Sequence, residues 1–248
     1  MKALIADIDD TICPSIQPIP AETAKEIDRL VRGGRLFCFI SGSSMDQISN
    51  QITPYLTEPH HLMSASGTHY VQVRYEKGKP VRDEKYRNEF TPSERQEVLG
   101  AFEALIKKFD VKSLTTKEDQ LQDRGSQITL SSIGRHAPDD KKRTYDPDGS
   151  KRSQWVAFLK TLLGDRYSIR IGGTTSVDIT QKGVDKAWGI RRFLEINGLQ
   201  PHEALFLGDK LDPEGNDYPA LQVVDCVQVK NPQHTLELLK CILTSPAI

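Results

Sequence analysis

The chain opens on "KALIADI", residues 2 to 8, an apolar run too short for a helix of its own. After one amphipathic stretch it meets a second such run, "RLFCFIS", residues 35 to 41. Strands that read as near-continuous apolar runs are covered on both faces, and such strands belong to parallel sheets flanked by helices. The stretch between them, "PAETAKEIDRLVRGG", puts Ala24, Ile27, Leu30 and Val31 on one helical face and stops at Gly33 or Gly34. Strand, helix, strand in this order predicts an α/β protein built on a Rossmann-like parallel sheet with helices on both faces. The same order returns at the far end: "KAWGIRRFLEING" as a helix, "ALFLGD" and "VVDCVQVK" as strands, and "PQHTLELLKCIL" as a closing helix.

The middle of the chain has a different grammar. "HYVQVRYEKGKPV" alternates around a glycine-containing turn as a hairpin does, and "SQITLSS" and "YSIRI" read as half-exposed strands. Two amphipathic helices interleave with them. In "TPSERQEVLGAFEALIKKF" Thr91 caps, Pro92 suits the first turn and Glu94 completes a capping box. The other is "SKRSQWVAFLKTLLG". The chain is long enough, at 248 residues, for two modest domains, and the pattern predicts a core from 1–81 and 182–248 with a domain inserted at 82–181. "APDDKKRTYDPDGSK" reads as a solvated charged loop, and the adjacent His60 and His61 as loop residues.

Charge and cysteine usage narrow the function. Thirty-three basic side chains against thirty-four acidic ones give a net charge of -1, so no global field draws the protein to nucleic acid or to a membrane. A small polar substrate is the expected partner. No window approaches the roughly 18 uninterrupted apolar residues of a membrane span, which leads to the expectation of a soluble, cytoplasmic protein. Cys13, Cys38, Cys226 and Cys241 lie far apart without a C-x-x-C pair, the pattern of free thiols rather than disulfides or zinc.

Against that background the acidic strand ends stand out. "ADIDDT" gathers Asp7, Asp9 and Asp10 where the first strand ends, and "LFLGDKLDPEGNDY" offers Asp209, Asn216 and Asp217 at and beyond another strand end. The carboxyl ends of parallel strands face the crevice where α/β proteins bind ligands. Carboxylates crowded there need a cation, and hard oxygen ligands favour Mg²⁺. Asp10 reads as a turn residue.

Four stretches in this order resemble the motifs of the haloacid dehalogenase superfamily: "DIDDT" its D-x-D-x-T signature, "FCFISGSS" its second motif with Ser41, "GVDKAW" its third with Lys186, and "FLGDKLDPEGND" its fourth. "DRGSQITLSSIGR", "RIGGTTSVDIT" and "GDKLDPEGNDY" are similar to the corresponding stretches of the eukaryotic-type phosphomannomutases, the branch with a C2-type α/β cap inserted after the second motif. The resemblance implies Mg²⁺-dependent phosphoryl transfer on a hexose phosphate, with sugar-phosphate hydrolysis as the alternative and non-catalytic sugar-phosphate binding a more distant one. It implies that Asp7 is the nucleophile and Asp9 the general acid/base. It implies that Asp7, the Asp9 carbonyl and Asp209 hold Mg²⁺ with Asp217 close by, and that Ser41 and Lys186 contact the transferring phosphoryl group. In the cap, Arg124 and Arg135 would bind a sugar phosphate while Ser176 and Asp178 face its hydroxyls. The assembly state is open, a homodimer being one option.

The departures bear on the reaction. Family members usually carry glycine where this chain has Asp10, and a second motif closer to G-G-S-D than to "SGSS". A core arginine of the family falls at about Ile16, and a third cap arginine at Lys142 beside Arg143. A mutase holds a bisphosphate through reorientation, so missing arginines weigh on that activity more than on phosphoryl-enzyme chemistry.

Overall fold

The structure is a computed structural model that describes residues 1–213 and 215–244. In chain order its elements are β1 (Ala3–Ala6), α1 (Ala21–Arg32), β2 (Leu36–Ile40), α2 (Met45–Ile52), β3 (His60–Ser64), β4 (His69–Glu76) and β5 (Lys79–Arg87). They continue with α3 (Pro92–Phe109), α4 (Lys117–Gln120), β6 (Leu121–Asp123), β7 (Gln127–Ser131), α5 (Asp139–Tyr145), α6 (Ser150–Leu163), β8 (Tyr167–Gly172) and β9 (Ser176–Gln181). Last come α7 (Lys186–Ile196), β10 (Ala204–Gly208), β11 (Asp225–Gln228) and α8 (Pro232–Thr244). The chain divides into two units, residues 1–87 with 184–248, and residues 88–183.

The first unit is a seven-stranded sheet in the order β11-β10-β1-β2-β3-β4-β5. Its first five strands run parallel, and β4 and β5 complete it as an antiparallel hairpin. Side chains alternate across a strand, so a strand covered on both sides must be apolar throughout. All four residues of β1 are fully buried, Leu4 and Ala6 in one core with α1, α2 and α8, Ala3 and Ile5 in a second core with α7. The α/β reading holds. The division falls at 87/88 and 183/184 rather than at 81/82 and 181/182, because β5 pairs with β4 along its whole length and so belongs to the large sheet. His60 and His61 are not loop residues. They sit in β3, fully or almost fully buried, where Thr53 meets His60 Nε2 and the Tyr70 hydroxyl meets His61 Nδ1.

The second unit is an antiparallel sheet, β6-β7-β9-β8, with α3 and α6 against one face. Ile128 and Leu130 of β7 and Val177 and Ile179 of β9 point into that helix-covered core together with Phe102, Leu105 and Trp155. The α3 cap is built as its sequence predicts, with Thr91 and Glu94 exchanging hydrogen bonds and Pro92 in the first turn. The charged stretch at 137–151 is more than a solvated loop. It contains α5, and Asp146 is buried in an ion pair with Arg152, whose guanidinium also donates to the carbonyls of Gly172 and Gly173.

Candidate active site

Register places the acidic strand ends side by side. β1 and β10 pair in parallel with Ala6 opposite Leu207, so the residues just past each strand, Asp7 and Asp209, emerge together. The Asp7 amide prolongs the ladder by donating to the Leu207 carbonyl at 3.0 Å. Asp217 returns to the same place from the following loop. One carboxylate oxygen each from Asp7, Asp209 and Asp217 fall within 4.8 Å of one another. Glu214, in the fourth of the motif-like stretches, lies outside the described residues.

Lys186, the first residue of α7, reaches into this group. Its Nζ donates to Asp7 Oδ1 at 2.6 Å and to Asp217 Oδ1 at 2.5 Å, with the side chain 1 % exposed. Asp185 caps the helix by accepting from the Trp188 amide, which fixes where the lysine starts. Asp217, fully buried, also accepts from the Lys210 amide, and Thr11 donates to Asp209 Oδ1 at 3.3 Å. Burial pushes the Asp7 carboxyl up to about 6, against the pull of the Lys186 charge and with the push of Asp217. Burial also works against the charge of Lys186, but Asp7 and Asp217 outweigh it and raise its pKa.

Asp9 does something else. Its carboxylate is not one of the three grouped carboxylates; Oδ1 accepts from the Ile16 amide at 2.8 Å and from Gln51 Nε2 at 3.3 Å. The expectation of a metal contact from Asp9 therefore rests on its carbonyl alone. The turn that redirects it begins at Asp10, with φ of 61°, a left-handed conformation that glycine takes freely and aspartate tolerates. Asp10 is thus a turn residue, and its place where the family carries glycine has a steric explanation. Ile16 also sits at positive φ, 63°, with its side chain 70 % exposed. Ser41 follows β2, the strand next to β1, and is buried with its hydroxyl accepting from the Ser43 amide. Asn216 is exposed.

In the second unit, Arg124 follows β6 and donates to Gln122 Oε1, while its amide closes a tight turn on the Gln127 carbonyl. Burial and the charge of Arg135 both lower its pKa, and Asp178 acts in the opposite sense. Two guanidinium groups and one carboxylate therefore feel one another. Arg135 is exposed; its amide donates to the Asp119 carbonyl, while the Asp119 side chain is taken by His136. Asp123 pairs with Arg95. Neither acid neutralises the expected pair of arginines. Ser176 lies in β9 with its hydroxyl 3.4 Å from that of Ser131, and Asp178, two residues on, accepts from Thr129 at 2.6 Å.

The structure brings Asp7, Asp209, Asp217 and Lys186 together, while in the second unit Arg124 feels the charges of Arg135 and Asp178. Thr11, Gln51 and Thr129 were not singled out from the sequence. The threonine of D-x-D-x-T is the one signal that pointed to Thr11; Gln51 and Thr129 touch their aspartates only through tertiary structure.

Comparison with known proteins follows the same lines. A family model described as eukaryotic phosphomannomutase matches residues 25–245, starting after β1. The phosphomannomutase of Spinacia oleracea is 25 % identical over 226 residues, covering 87 % of this chain and 85 % of its own length. That of Encephalitozoon cuniculi is 23 % identical over 247 residues, covering 92 % and 88 %. Among solved structures, the IMP-bound, N-terminally truncated IMP-nucleotidase of Plasmodium falciparum shares the fold with a TM-score of 0.71 at 17 % identity, covering 99 % of this chain and 68 % of that one.

Proposed function

Because the chain belongs to the eukaryotic phosphomannomutase family, within the haloacid dehalogenase superfamily, we propose that it transfers a phosphoryl group of a hexose phosphate through an aspartyl-phosphate formed on Asp7. The observation that carries this reading is the buried ammonium of Lys186 between Asp7 and Asp217, with Asp209 beside them at two adjacent strand ends. Three carboxylates against one lysine leave an excess of negative charge, and all the free donors are hard oxygens. That donor set suits Mg²⁺, held by Asp7, Asp209 and the Asp9 carbonyl with Asp217 close by. When bound, the ion neutralises charge on the phosphoryl oxygens and keeps Asp7 ionised.

The chain's own residues supply the rest. An Asp7 oxygen attacks phosphorus as the bond to the sugar oxygen breaks, and Asp9 gives that oxygen its proton. The Ser41 hydroxyl and the Lys186 ammonium face the equatorial oxygens, where charge spreads in the transition state. In the second step Asp9 takes a proton from the attacking hydroxyl, and the Asp7–phosphate bond breaks. The unit at 88–183, with the C2-type character that the resemblance implies, recognises the sugar phosphate. Arg124 and Arg135 match phosphate oxygens with forked donors, while Ser176 and Asp178 suit hydroxyls.

Hydrolysis is a second reading, and one residue favours it. Ile16 stands about where the family has a core arginine, and its exposed side chain offers no charge to hold a second phosphate. Water then replaces a sugar hydroxyl as the acceptor in the second step. One assay separates the two: purified protein with Mg²⁺ and a panel of hexose phosphates, following free phosphate and isomerised product together. Product of either kind that vanishes in chelator and in Asp7→Asn supports the reading; turnover that survives Asp7→Asn contradicts it.

A further inference from the structure

The four-stranded sheet of the second unit has two unlike faces. One packs under α3 and α6, and the other presents Gln127, Thr129 and Ser131 of β7 next to Ser176, Asp178 and Thr180 of β9. Thr129 and Asp178 are direct cross-strand partners, so their side chains stand on the same face within contact distance. Gln127 Nε2 donates to the Thr129 oxygen at 3.0 Å, and Thr129 Oγ1 donates to Asp178 Oδ1 at 2.6 Å. The order of this relay is fixed by chemistry. An amide nitrogen only donates, so the hydroxyl accepts there and spends its single proton on the carboxylate. Thr129 is 3 % exposed, and a β-branched side chain has little χ1 freedom, so the donor is held in place.

The second carboxylate oxygen is placed just as firmly. Asp178 Oδ2 lies over Gly172 on the neighbouring strand, 2.5 Å from where a Cβ would stand, so only glycine there leaves room for this orientation. We propose that Thr129, driven by Gln127, is a specificity-positioning residue. By fixing Asp178 Oδ1 it presents the carboxylate edge-on to a pair of hydroxyls, which selects polyhydroxylated phosphate monoesters over phosphate esters without hydroxyls. The inference rests on the reading of Asp178 as a sugar-hydroxyl acceptor and adds the residue that aims it. The charge facing Asp178 is that of Arg124, on which the charge of Arg135 also acts, and burial, partly offset by bonds from Thr129 and Gln127 and by Arg124, holds the Asp178 carboxyl above its ordinary value. Removing a bond to the charged form raises the pKa further.

The test compares Thr129→Val, of the same shape, with Thr129→Ser, which keeps the hydroxyl, and with Asp178→Ala. KM and kcat are measured for a hexose phosphate and for an aryl phosphate, and the Asp178 carboxyl of the wild type and of Thr129→Val is titrated by carbon NMR. A hydrogen bond to a charged group is worth about tenfold or more in binding. Thr129→Val is expected to raise KM for the hexose phosphate about tenfold with kcat within about twofold, to show no such rise for the aryl phosphate, and to titrate higher. Thr129→Ser restores KM. If Asp178→Ala raises KM for the hexose phosphate but Thr129→Val does not, the relay is wrong while the role of Asp178 stands. If Asp178→Ala leaves KM unchanged, the underlying reading falls and the inference with it. Equal losses for both substrates, or an unmoved Asp178 titration, mark Thr129 as merely structural and overturn the proposal.

Discussion

Replacing Lys186 with methionine keeps most of the side-chain volume and removes the charge. In the protein the lysine side chain is 1 % exposed, and those of its two partners, Asp7 and Asp217, are 6 % and 0 % exposed. Without it two buried carboxylates face each other uncompensated, a loss of about 3 to 5 kcal/mol by the behaviour of buried pairs that lose one partner. For a chain of this size each kcal/mol is about 2 to 4 °C in Tm, so the transition of the first unit is expected to fall by roughly 6 to 20 °C. The loss carries a pH signature. Burial already holds Asp7 at about 6 with the lysine present, and without that charge it titrates higher still. The penalty is therefore fullest at about pH 8 and shrinks towards about pH 5, where Asp7 takes up a proton. Divalent cation should return part of it, by about 2.7 kcal/mol at a hundred times its Kd. Thermal unfolding of the wild type and Lys186→Met in chelator at both pH values, and again with Mg²⁺, makes the measurement. A loss under about 1 kcal/mol at the higher pH, or one equally large at the lower, would refute the electrostatic reasoning.

Other consequences are open to simple tests. Gly208→Ala would put a Cβ 2.5 Å from Asp217 Oδ2 and 2.7 Å from a Phe206 ring carbon, so cation affinity measured by calorimetry should fall; unchanged affinity would remove Asp217 from the cation's surroundings. Burial lowers His60 to about 4 and His61 to about 3, both below the ordinary value near 6.5. Their contribution is present above about pH 6.5 and is lost as pH falls, about 1.4 kcal/mol per unit each, or roughly 4 kcal/mol together at about pH 5. Asp7, raised to about 6, works in the opposite sense over that range but as one group against two. Urea unfolding in chelator should thus show net destabilisation between about pH 7.5 and 5, and a flat profile would contradict the buried neutral imidazoles. Arg135→Ala should raise KM for a hexose phosphate by the equivalent of about 1.5 to 3 kcal/mol and spare an aryl phosphate; equal losses would sink its role with the sugar phosphate.

Much of the architecture could be read from residue patterns because parallel strands buried on both faces leave little choice. "KALIADI", "RLFCFIS" and "ALFLGD" are unbroken apolar runs, and their structural counterparts are the central strands β1, β2 and β10. The strand "HHLMS" escaped because two histidines look polar in sequence; only the partners Thr53 and Tyr70, supplied by the fold, let them be buried. The charged stretch around α5 misled in the same way, since Asp146 looks solvated until Arg152 reaches it. The unit boundary shifted because the hairpin β4–β5 alternates like the strands of the second unit yet hydrogen-bonds to β3. At the site, adjacent strand ends made Asp7 and Asp209 legible, and the resemblance pointed to Lys186. The direction of the Asp9 carboxylate was not legible. The period of two that would align it with Asp7 fails at once, because β1 ends at Ala6 and the chain turns at Asp10 towards Gln51.

The proposed reaction turns on Asp7 carrying the phosphoryl group. Its most direct test is to quench the protein in acid within one turnover of a hexose phosphate and Mg²⁺, then map the labile phosphate by mass spectrometry on the peptide spanning residues 1–25. One phosphoryl group is expected on Asp7, absent in Asp7→Asn and in chelator. A phosphoryl group on any other residue, or turnover in which Asp7 is never modified, would contradict it.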